Sequence, residues 1–165
     1  MSGEGSYQGG LDGRLDGRLD GRGLRVAVVA ARFHGHVVDT LLERCLTSLV
    51  EHGVAEGDLT VIRAPGAWEL PQVAARLARA GAHDAIVALG CVIRGETPHF
   101  DFVAGEAARG LADVAREGGV PVVFGVLTTD DEEQALVRAA PDGQDKGREA
   151  AMAALEMSLL FRGLG

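Results

Sequence analysis

Short apolar runs that alternate with helical patterns constrain this fold more than any other feature of the chain. Residues 24–31 and 84–93 are almost continuously apolar, as expected of strands that are covered on both faces of a parallel sheet. Residues 59–64 and 121–128 are two further runs of the same kind. The pattern therefore predicts four strands.

The remaining segments of the chain carry apolar side chains at helical spacing. The predicted helices cover about 36–53, 70–80, 98–117, a segment that ends at Pro141, and 146–162. Thr129 and Glu132 are spaced as a capping box, in which the threonine oxygen accepts the third amide and the glutamate returns to the cap amide. Strands that alternate with helices imply right-handed crossovers and helices on both faces. We therefore predict an α/β fold, a three-layer flavodoxin-like sandwich with a central four-stranded parallel sheet.

The first 23 residues differ in composition from the rest. They contain the tetrapeptide Leu-Asp-Gly-Arg three times among glycine and serine, a composition that cannot bury a core. The whole chain has 165 residues and is 47% apolar, which is enough for one compact core but not for two. We predict a flexible tail over residues 1–14 and a single domain over 15–165.

Charge, cysteine and histidine patterns exclude several classes of function. The formal net charge is −8 and the pI is near 5.0, with no basic stripe, which disfavours a nucleic-acid partner. No apolar run approaches the roughly 18 residues of a spanning helix, and no basic-then-apolar leader is visible, so we expect a cytoplasmic protein with no membrane partner. Cys45 and Cys91 lack metal-ligand spacing, and His34 and His36 lack a third ligand. The pattern predicts neither a disulfide nor a metal site.

Chemically distinctive side chains follow three of the predicted strands. Phe33 follows the first, residues 64–69 follow the second, and residues 91–99 follow the third. Aromatic residues make up only 4% of the chain, yet these loops contain Phe33, Trp68 and Phe100. The carboxyl ends of parallel strands share one edge of the sheet, where α/β proteins bind ligands. Ordinary packing is the alternative for each ring taken alone, but together the rings predict a site for a flat ligand.

The turn before the third predicted helix has the groups that an anion needs. Residues 94–99 supply amides at a helix start and the Thr97 hydroxyl, although a turn that only caps the helix is the alternative. His99 is the best candidate for a general acid or base, because imidazole exchanges protons near neutral pH. Glu69 offers acceptor oxygens to hydroxyl or amine donors, or equally favours its helix start as a first-turn acid. Neither a P-loop, a GxGxxG motif nor a Ser/His/Asp order is present, which removes the main support for kinase, dinucleotide and hydrolase functions.

Four segments match one family in the right order: GAWELP at 66–71, ALGCVIRGETPHFDFV at 88–103, PVVFGVLTT at 121–129 and DKGREAA at 145–151. From about residue 23 to its end, but not in the repeat tail, the chain resembles the lumazine synthases. The resemblance implies the penultimate step of riboflavin biosynthesis, in which 5-amino-6-(D-ribitylamino)uracil condenses with 3,4-dihydroxy-2-butanone 4-phosphate to 6,7-dimethyl-8-ribityllumazine. It implies two small-molecule substrates and neither a metal nor an organic cofactor.

The resemblance also assigns roles to individual residues. It assigns the pyrimidine ring and ribityl chain to Phe33, Ala67, Trp68, Glu69, Cys91, Val92 and Ile93. Glu96 and Thr97 at the helix start are assigned to the phosphate, with Arg138 as its charged partner. His99 is assigned to proton transfer.

A neighbouring subunit is expected to complete each site. By the resemblance, Phe124, which is also assigned to the pyrimidine and ribityl groups, and Arg138 come from the adjoining protomer. This implies a homopentamer that can assemble further into an icosahedral shell of sixty subunits. Lys146 and Glu149 match supporting positions near the phosphate and the histidine. Riboflavin synthase, which would consume the product, is a candidate partner.

Three positions depart from the family pattern, and two other classes of function stay open. His34 stands where many members carry asparagine, Cys91 where threonine is common, and Trp68 where phenylalanine is frequent. None of these changes removes an acid, a base or a phosphate ligand. The alternatives are a flavodoxin-like ligand-binding module and a shell-forming structural protein without this activity. A receiver domain would need acidic residues after the first strand, and a flavodoxin would need a Ser/Thr-rich loop there, whereas this chain has Ala-Ala-Arg at 30–32.

Overall fold

The computed structural model describes residues 12–14 and 17–165. Within this part the strands are β1 (Val26–Ala31), β2 (Leu59–Ala64), β3 (Ala85–Ile93) and β4 (Val122–Thr129). The helices are α1 (Gly35–Glu51), α2 (Leu70–Ala80), α3 (His99–Glu117), α4 (Glu132–Ala139) and α5 (Lys146–Leu164). They differ from the predicted elements only at their ends, and two short 3-10 turns, Glu56–Asp58 and Ala67–Glu69, were not predicted. None of the helices in this part is long and apolar enough to cross a membrane.

The four strands form one parallel sheet in the order β2-β1-β3-β4. Val28 of β1 is paired with Val61 of β2 on one side and Val87 of β3 on the other. Helices cover both faces, so the predicted three-layer flavodoxin-like sandwich is confirmed. β2 and β4 are the edge strands, and the carboxyl ends of all four strands lie on one side of the sheet.

The two faces of the sheet bury separate cores. Val26 and Val28 point to a core shared with α1, α4 and α5, whereas Ala27 and Val29 point to a core shared with α2 and α3. This alternation follows from the two-residue period of a strand. β3 is buried along almost its whole length, which explains its nearly continuous apolar sequence.

The capping box predicted at Thr129 and Glu132 is wrong. Asp131 caps α4 instead, because its carboxylate accepts the Gln134 N–H at 2.8 Å. The Gln134 side chain in turn accepts the Asp130 N–H at 2.9 Å. Thr129 is still part of β4, and its buried hydroxyl donates to the Asp131 carbonyl at 2.8 Å. The strand runs further than expected, and aspartate is as good a cap as threonine, so the helix start moves along the chain.

The last of the three repeats, residues 19–22, packs against the domain. Leu19 is buried, and the Gly21 N–H donates to the His52 carbonyl at 2.7 Å. A Cβ on Gly21 would lie 2.7 Å from a Val54 methyl group, so this close approach requires glycine.

The division into a tail over 1–14 and a domain over 15–165 stays a prediction. Residues 1–11, 15 and 16 lie outside the described residues. They comprise most of the predicted tail and the first two residues of the predicted domain.

Candidate functional site

A cavity of about 360 Å³ opens where β1, β2 and β3 end. We call it the strand-end cavity. It is lined by Phe33, His34, Gly66, Ala67, Trp68, Glu69, Cys91, Val92, Ile93, Gly95, Thr97, His99, Phe100 and Val103. The structure thus brings together every residue predicted for the pyrimidine and ribityl groups except Phe124, and adds Thr97 and His99 to them.

Two large rings of this cavity are exposed to solvent. The exposed fraction is 66% for Phe33 and 51% for Trp68. Trp68 and Glu69 lie in the 3-10 turn that precedes α2, and Gly66 allows that turn to fold closely, since a Cβ there would lie 3.3 Å from Glu69 Oε2. Exposed aromatic surface next to a carboxylate suits a flat ligand with polar substituents.

The start of α3 forms one wall of the strand-end cavity. The helix begins at His99, directly after Pro98, and the His99 N–H points to Thr97 Oγ1 at 3.5 Å. The Asp101 N–H already donates to the Pro98 carbonyl at 3.0 Å, so the amides of Phe100 and, beyond its long contact with Thr97, His99 are the helix-start donors suited to an anion. Glu96, which was predicted to contact the phosphate, is exposed and does not belong to the cavity lining.

Arg94 braces the loop that leads into α3. Its guanidinium lies 4.4 Å from the centre of the Phe100 ring, and its Nε donates to Asp130 at 3.1 Å. The same guanidinium lies 3.6 Å from Asp101 in the first turn of the helix. These contacts join the loop after β3 to the loop after β4, and hold the cavity wall in place.

Cys91 is a buried spacer rather than a nucleophile. Its side chain is 3% exposed, and burial raises the pKa of the thiol to about 11, with the negative charge of Glu132 adding to the effect. The thiolate is the reactive form of cysteine. The side chain is therefore protonated and unreactive at neutral pH.

A second cavity, of about 330 Å³, lies along edge strand β4 beside α4 and α5. We call it the edge cavity. Phe124, Arg138, Lys146 and Glu149 all line it, and the Phe124 ring is 47% exposed. Arg138 Nη1 donates to the Gln134 carbonyl at 3.0 Å, and Lys146 Nζ lies 3.0 Å from Glu149 Oε2. Two cationic side chains and an exposed ring therefore meet on the side of the protomer.

The start of α5, which carries the lysine of the edge cavity, is fixed by α1. Arg44 donates to both oxygens of Asp145, at 3.0 and 2.9 Å, in the paired geometry that guanidinium and carboxylate favour. Gly147 packs so closely on α1 that a Cβ there would overlap the Leu41 carbonyl. Lys146, which lies between these two contacts, is therefore held in place.

The structure divides the predicted site residues into two sets. The edge cavity is lined by Phe124, Arg138, Lys146 and Glu149. Every other predicted site residue except Glu96 lines the strand-end cavity, and Glu96 lines neither. A larger open groove of about 810 Å³ beside the N-terminal repeats contains none of them. Among the described residues, no group of three or more His, Cys, Asp or Glu side chains is placed to hold a metal ion.

Four residues of the strand-end cavity were not predicted as site residues: His34, Gly66, Gly95 and Val103. A fifth, Phe100, was predicted only as one of the rings that indicate a flat ligand. His34 and Phe100 follow strand ends, as the predicted site residues do. Val103 lies one helical turn after His99, so helical spacing could have indicated that it faces the same cavity. The two glycines have no side chain to suggest a role.

The family model of 6,7-dimethyl-8-ribityllumazine synthase matches residues 23–162. The match includes the whole sheet and every residue of both the strand-end and the edge cavity. It begins after the Leu-Asp-Gly-Arg repeats.

Proposed function

We propose, because the chain belongs to the 6,7-dimethyl-8-ribityllumazine synthase family, that it condenses 5-amino-6-(D-ribitylamino)uracil with 3,4-dihydroxy-2-butanone 4-phosphate. The family is one of transferase enzymes, and the chain is an enzyme of this kind. Its members act on small-molecule substrates and assemble into oligomers.

The proposed reaction consists of four steps. The primary amine of the uracil attacks the ketone, and the adduct loses water to form an imine. Removal of a proton from the carbon next to the imine then expels phosphate, and the resulting enol becomes a ketone. The ribityl-bearing nitrogen closes the ring on that ketone with loss of a second water. The products are the lumazine, phosphate and two molecules of water, and every step transfers a proton.

The strand-end cavity is the observation on which this proposal depends. It places exposed rings, a carboxylate and the start of α3 around one volume, with His99 at the first helical position. We assign the pyrimidine to Phe33 and Trp68, the phosphate to the amides beside Thr97, and proton transfer to His99. Holding two substrates together lowers the barrier by ~7–11 kcal/mol at best. One acid or base speeds the reaction ~10²–10⁴-fold, which corresponds to ~3–5 kcal/mol. Positioning is thus the larger part of the expected catalysis.

The strand-end cavity lacks the cation that a phosphate dianion favours. None of the described residues that line it is a lysine or an arginine, and Arg94 nearby is engaged by Phe100 and Asp130. Charge-assisted bonds to phosphate are the strong ones in proteins, and the edge cavity has Arg138, together with Lys146, which is paired with Glu149. We propose that the edge cavity of one protomer closes the strand-end cavity of the next in a homopentamer.

Mixing the two substrates with the purified chain tests the proposed reaction. The product is fluorescent, so its formation is followed continuously, and release of phosphate is measured in parallel. We expect both signals to rise together, and to rise far more slowly with His99→Ala. Phosphate release without the lumazine signal, or neither signal, would contradict the proposal.

Light scattering and electron microscopy test the size of the assembly. A ring of five satisfies the proposed sharing of sites, and an icosahedral shell would repeat that ring. A monomer that turns over at full rate would refute the shared site. Riboflavin synthase stays a predicted partner, to be tested by co-sedimentation with the assembled protein.

A further inference from the structure

Three rings in a row lead from the strand-end cavity to the start of α4. The ring centres of Phe33 and His34 lie 4.5 Å apart and those of His34 and His36 lie 6.4 Å apart, both pairs edge to face. His36 Nε2 then lies 2.5 Å from Glu132 Oε1, across 96 positions of sequence. The first turn of α1 is thereby tied to the first turn of α4.

The backbone of His34 connects this tie to the cavity. His34 adopts a left-handed conformation, with φ 56° and ψ 46°, and its carbonyl accepts the N–H groups of Val37 and Val38 at 3.0 Å each. Its side chain makes no capping bond to the helix. A residue other than glycine is strained in this conformation and keeps it only where its surroundings enforce it. The bonds from Val37 and Val38 hold the His34 backbone, and the edge-to-face contacts with Phe33 and His36 are those that bear on the direction of its ring.

The charges around His34 favour a neutral ring. Burial lowers the pKa of His34, and the positive charge of His36 lowers it further, whereas Glu132 acts in the opposite direction. A neutral imidazole has one N–H donor and one acceptor nitrogen. A uracil edge alternates carbonyl oxygens with N–H groups, so the two can pair.

Three other titratable groups, Glu69, Cys91 and His99, line the same cavity as His34. Asp39, on the same helix as His36, is paired with Arg63 at 2.7 Å. Because the Cys91 thiol stays protonated and Asp39 already has a partner, His36 and Glu132 are the pair whose removal isolates the effect.

We propose that the His36–Glu132 pair positions His34 for hydrogen bonding to the pyrimidine substrate in the strand-end cavity. The inference rests on the proposed function. His36 and Glu132 are positioning residues, since they act through His34 and do not line the cavity themselves.

The test compares His36→Gln, Glu132→Gln and His36→Lys in the full-length chain. Because exposed pairs are weak, we expect KM for the uracil substrate to rise about two- to fivefold in the two glutamine variants. Turnover number and KM for the phosphorylated substrate should not change. Lysine keeps a cation beside Glu132 but lacks the ring that faces His34, so His36→Lys should restore part of the KM of the unaltered chain.

Arg116→Gln is the matched control, because it breaks an exposed pair on α3, Arg116–Asp113 at 2.7 Å, away from both cavities. The imidazole C–H signal of His34 in NMR gives a readout without turnover, and should move in His36→Gln but not in the control.

Three outcomes would overturn the inference. If His36→Gln forms product with an unchanged KM for the uracil substrate and an unmoved His34 signal, this inference is refuted while the proposed function stands. A uniform loss of stability and of all kinetic constants that lysine does not restore would show a purely structural pair. Absence of product with the unaltered chain would overturn the proposed function and this inference with it.

Discussion

The strand-end and edge cavities are similar in size but opposite in chemistry. The strand-end cavity has two exposed rings, two histidines and helix amides, and none of its described lining residues is a lysine or arginine. The edge cavity has Arg138 and Lys146, and its ring is Phe124. One cavity is suited to proton transfer and stacking, and the other to holding an anion. Neither cavity alone therefore combines the stacking rings that suit an aromatic amine with the cations that suit a phosphorylated substrate.

The position of each cavity follows from the topology of the sheet. Loops that follow parallel strands meet at one end, and this geometry collects Phe33, Trp68 and His99 from three different strands. β4 is an edge strand, so Phe124 faces the side of the protomer instead. An edge strand with an exposed ring and adjacent cations is a surface available to a neighbour.

Replacing His99 by alanine should produce the largest single effect on the strand-end cavity. Loss of one general acid or base costs ~10²–10⁴-fold in rate. Because the variant still positions the two substrates, a measurable residual activity should remain. Turnover is measured from lumazine fluorescence with both substrates saturating. An unaltered turnover number would remove His99 from the chemistry and leave it as a helix-start residue.

Mixed assemblies distinguish a shared site from a site within one chain. When His99→Ala and Arg138→Ala subunits are unfolded, mixed equally and refolded together, about a quarter of the sites in a ring should combine two intact halves. With the phosphorylated substrate held well below its KM, where each variant alone is nearly inactive, activity should therefore recover to about a quarter of that of the unaltered enzyme. Each variant refolded alone is the control. If no activity returns although mass spectrometry shows mixed rings, the two cavities do not cooperate across subunits.

Arg138→Ala should weaken the edge cavity selectively. A hydrogen bond to a charged group contributes about 1.5–3 kcal/mol, so KM for the phosphorylated substrate should rise ~10- to 100-fold. The KM for the uracil should change little. Arg116→Ala, on an exposed part of α3, controls for the loss of one positive charge. Equal affinity for the phosphorylated substrate in Arg138→Ala and in the unaltered chain would exclude the proposed phosphate contact.

Trp68→Ala should have a smaller effect, confined to the uracil substrate. Stacking contributes ~0.5–1.5 kcal/mol beyond buried area, so a severalfold rise in KM is expected, and Trp68→Phe should restore most of it. Trp68 is the sole tryptophan of the chain, so its fluorescence reports on this cavity directly. Addition of the uracil substrate should quench it, and addition of the phosphorylated substrate should not. Fluorescence that ignores the uracil would leave Trp68 as a packing residue.

The sequence predicts the fold better than it predicts the assembly of the site. Apolar runs such as β3 and helical spacing such as that of α2 reflect burial within one chain, and β2 and α2 match their predicted bounds. The start of α4 was misplaced, because Thr129 and Asp131 are equally good caps and only tertiary pairing of β4 decides between them.

The site was predictable in its loops but not in its division into two cavities. Phe33, Trp68 and His99 follow strand ends, and that placement can be read from the chain. That Arg138 lies in a different cavity from His99 depends on strand order and on the packing of α4, which no local pattern encodes. The role that we propose for His34 depends on Glu132, a residue distant in sequence.

Cys91→Ala should have the smallest effect of all, although the residue lines the strand-end cavity. Burial holds the thiol pKa near 11, so about one thiol in a thousand is ionised at pH 8, which leaves no useful nucleophile. Turnover should stay within about twofold, with only the modest loss of stability expected for a smaller buried side chain. Cys45→Ala, on the buried face of α1, is the matched control, since its thiol is also buried and has its pKa raised to about 12. A thiol reagent should modify both cysteines only as fast as the protein unfolds. Rapid modification of Cys91 in the folded enzyme, prevented by the uracil substrate, would instead show that this side of the cavity opens and that the thiol takes part in binding.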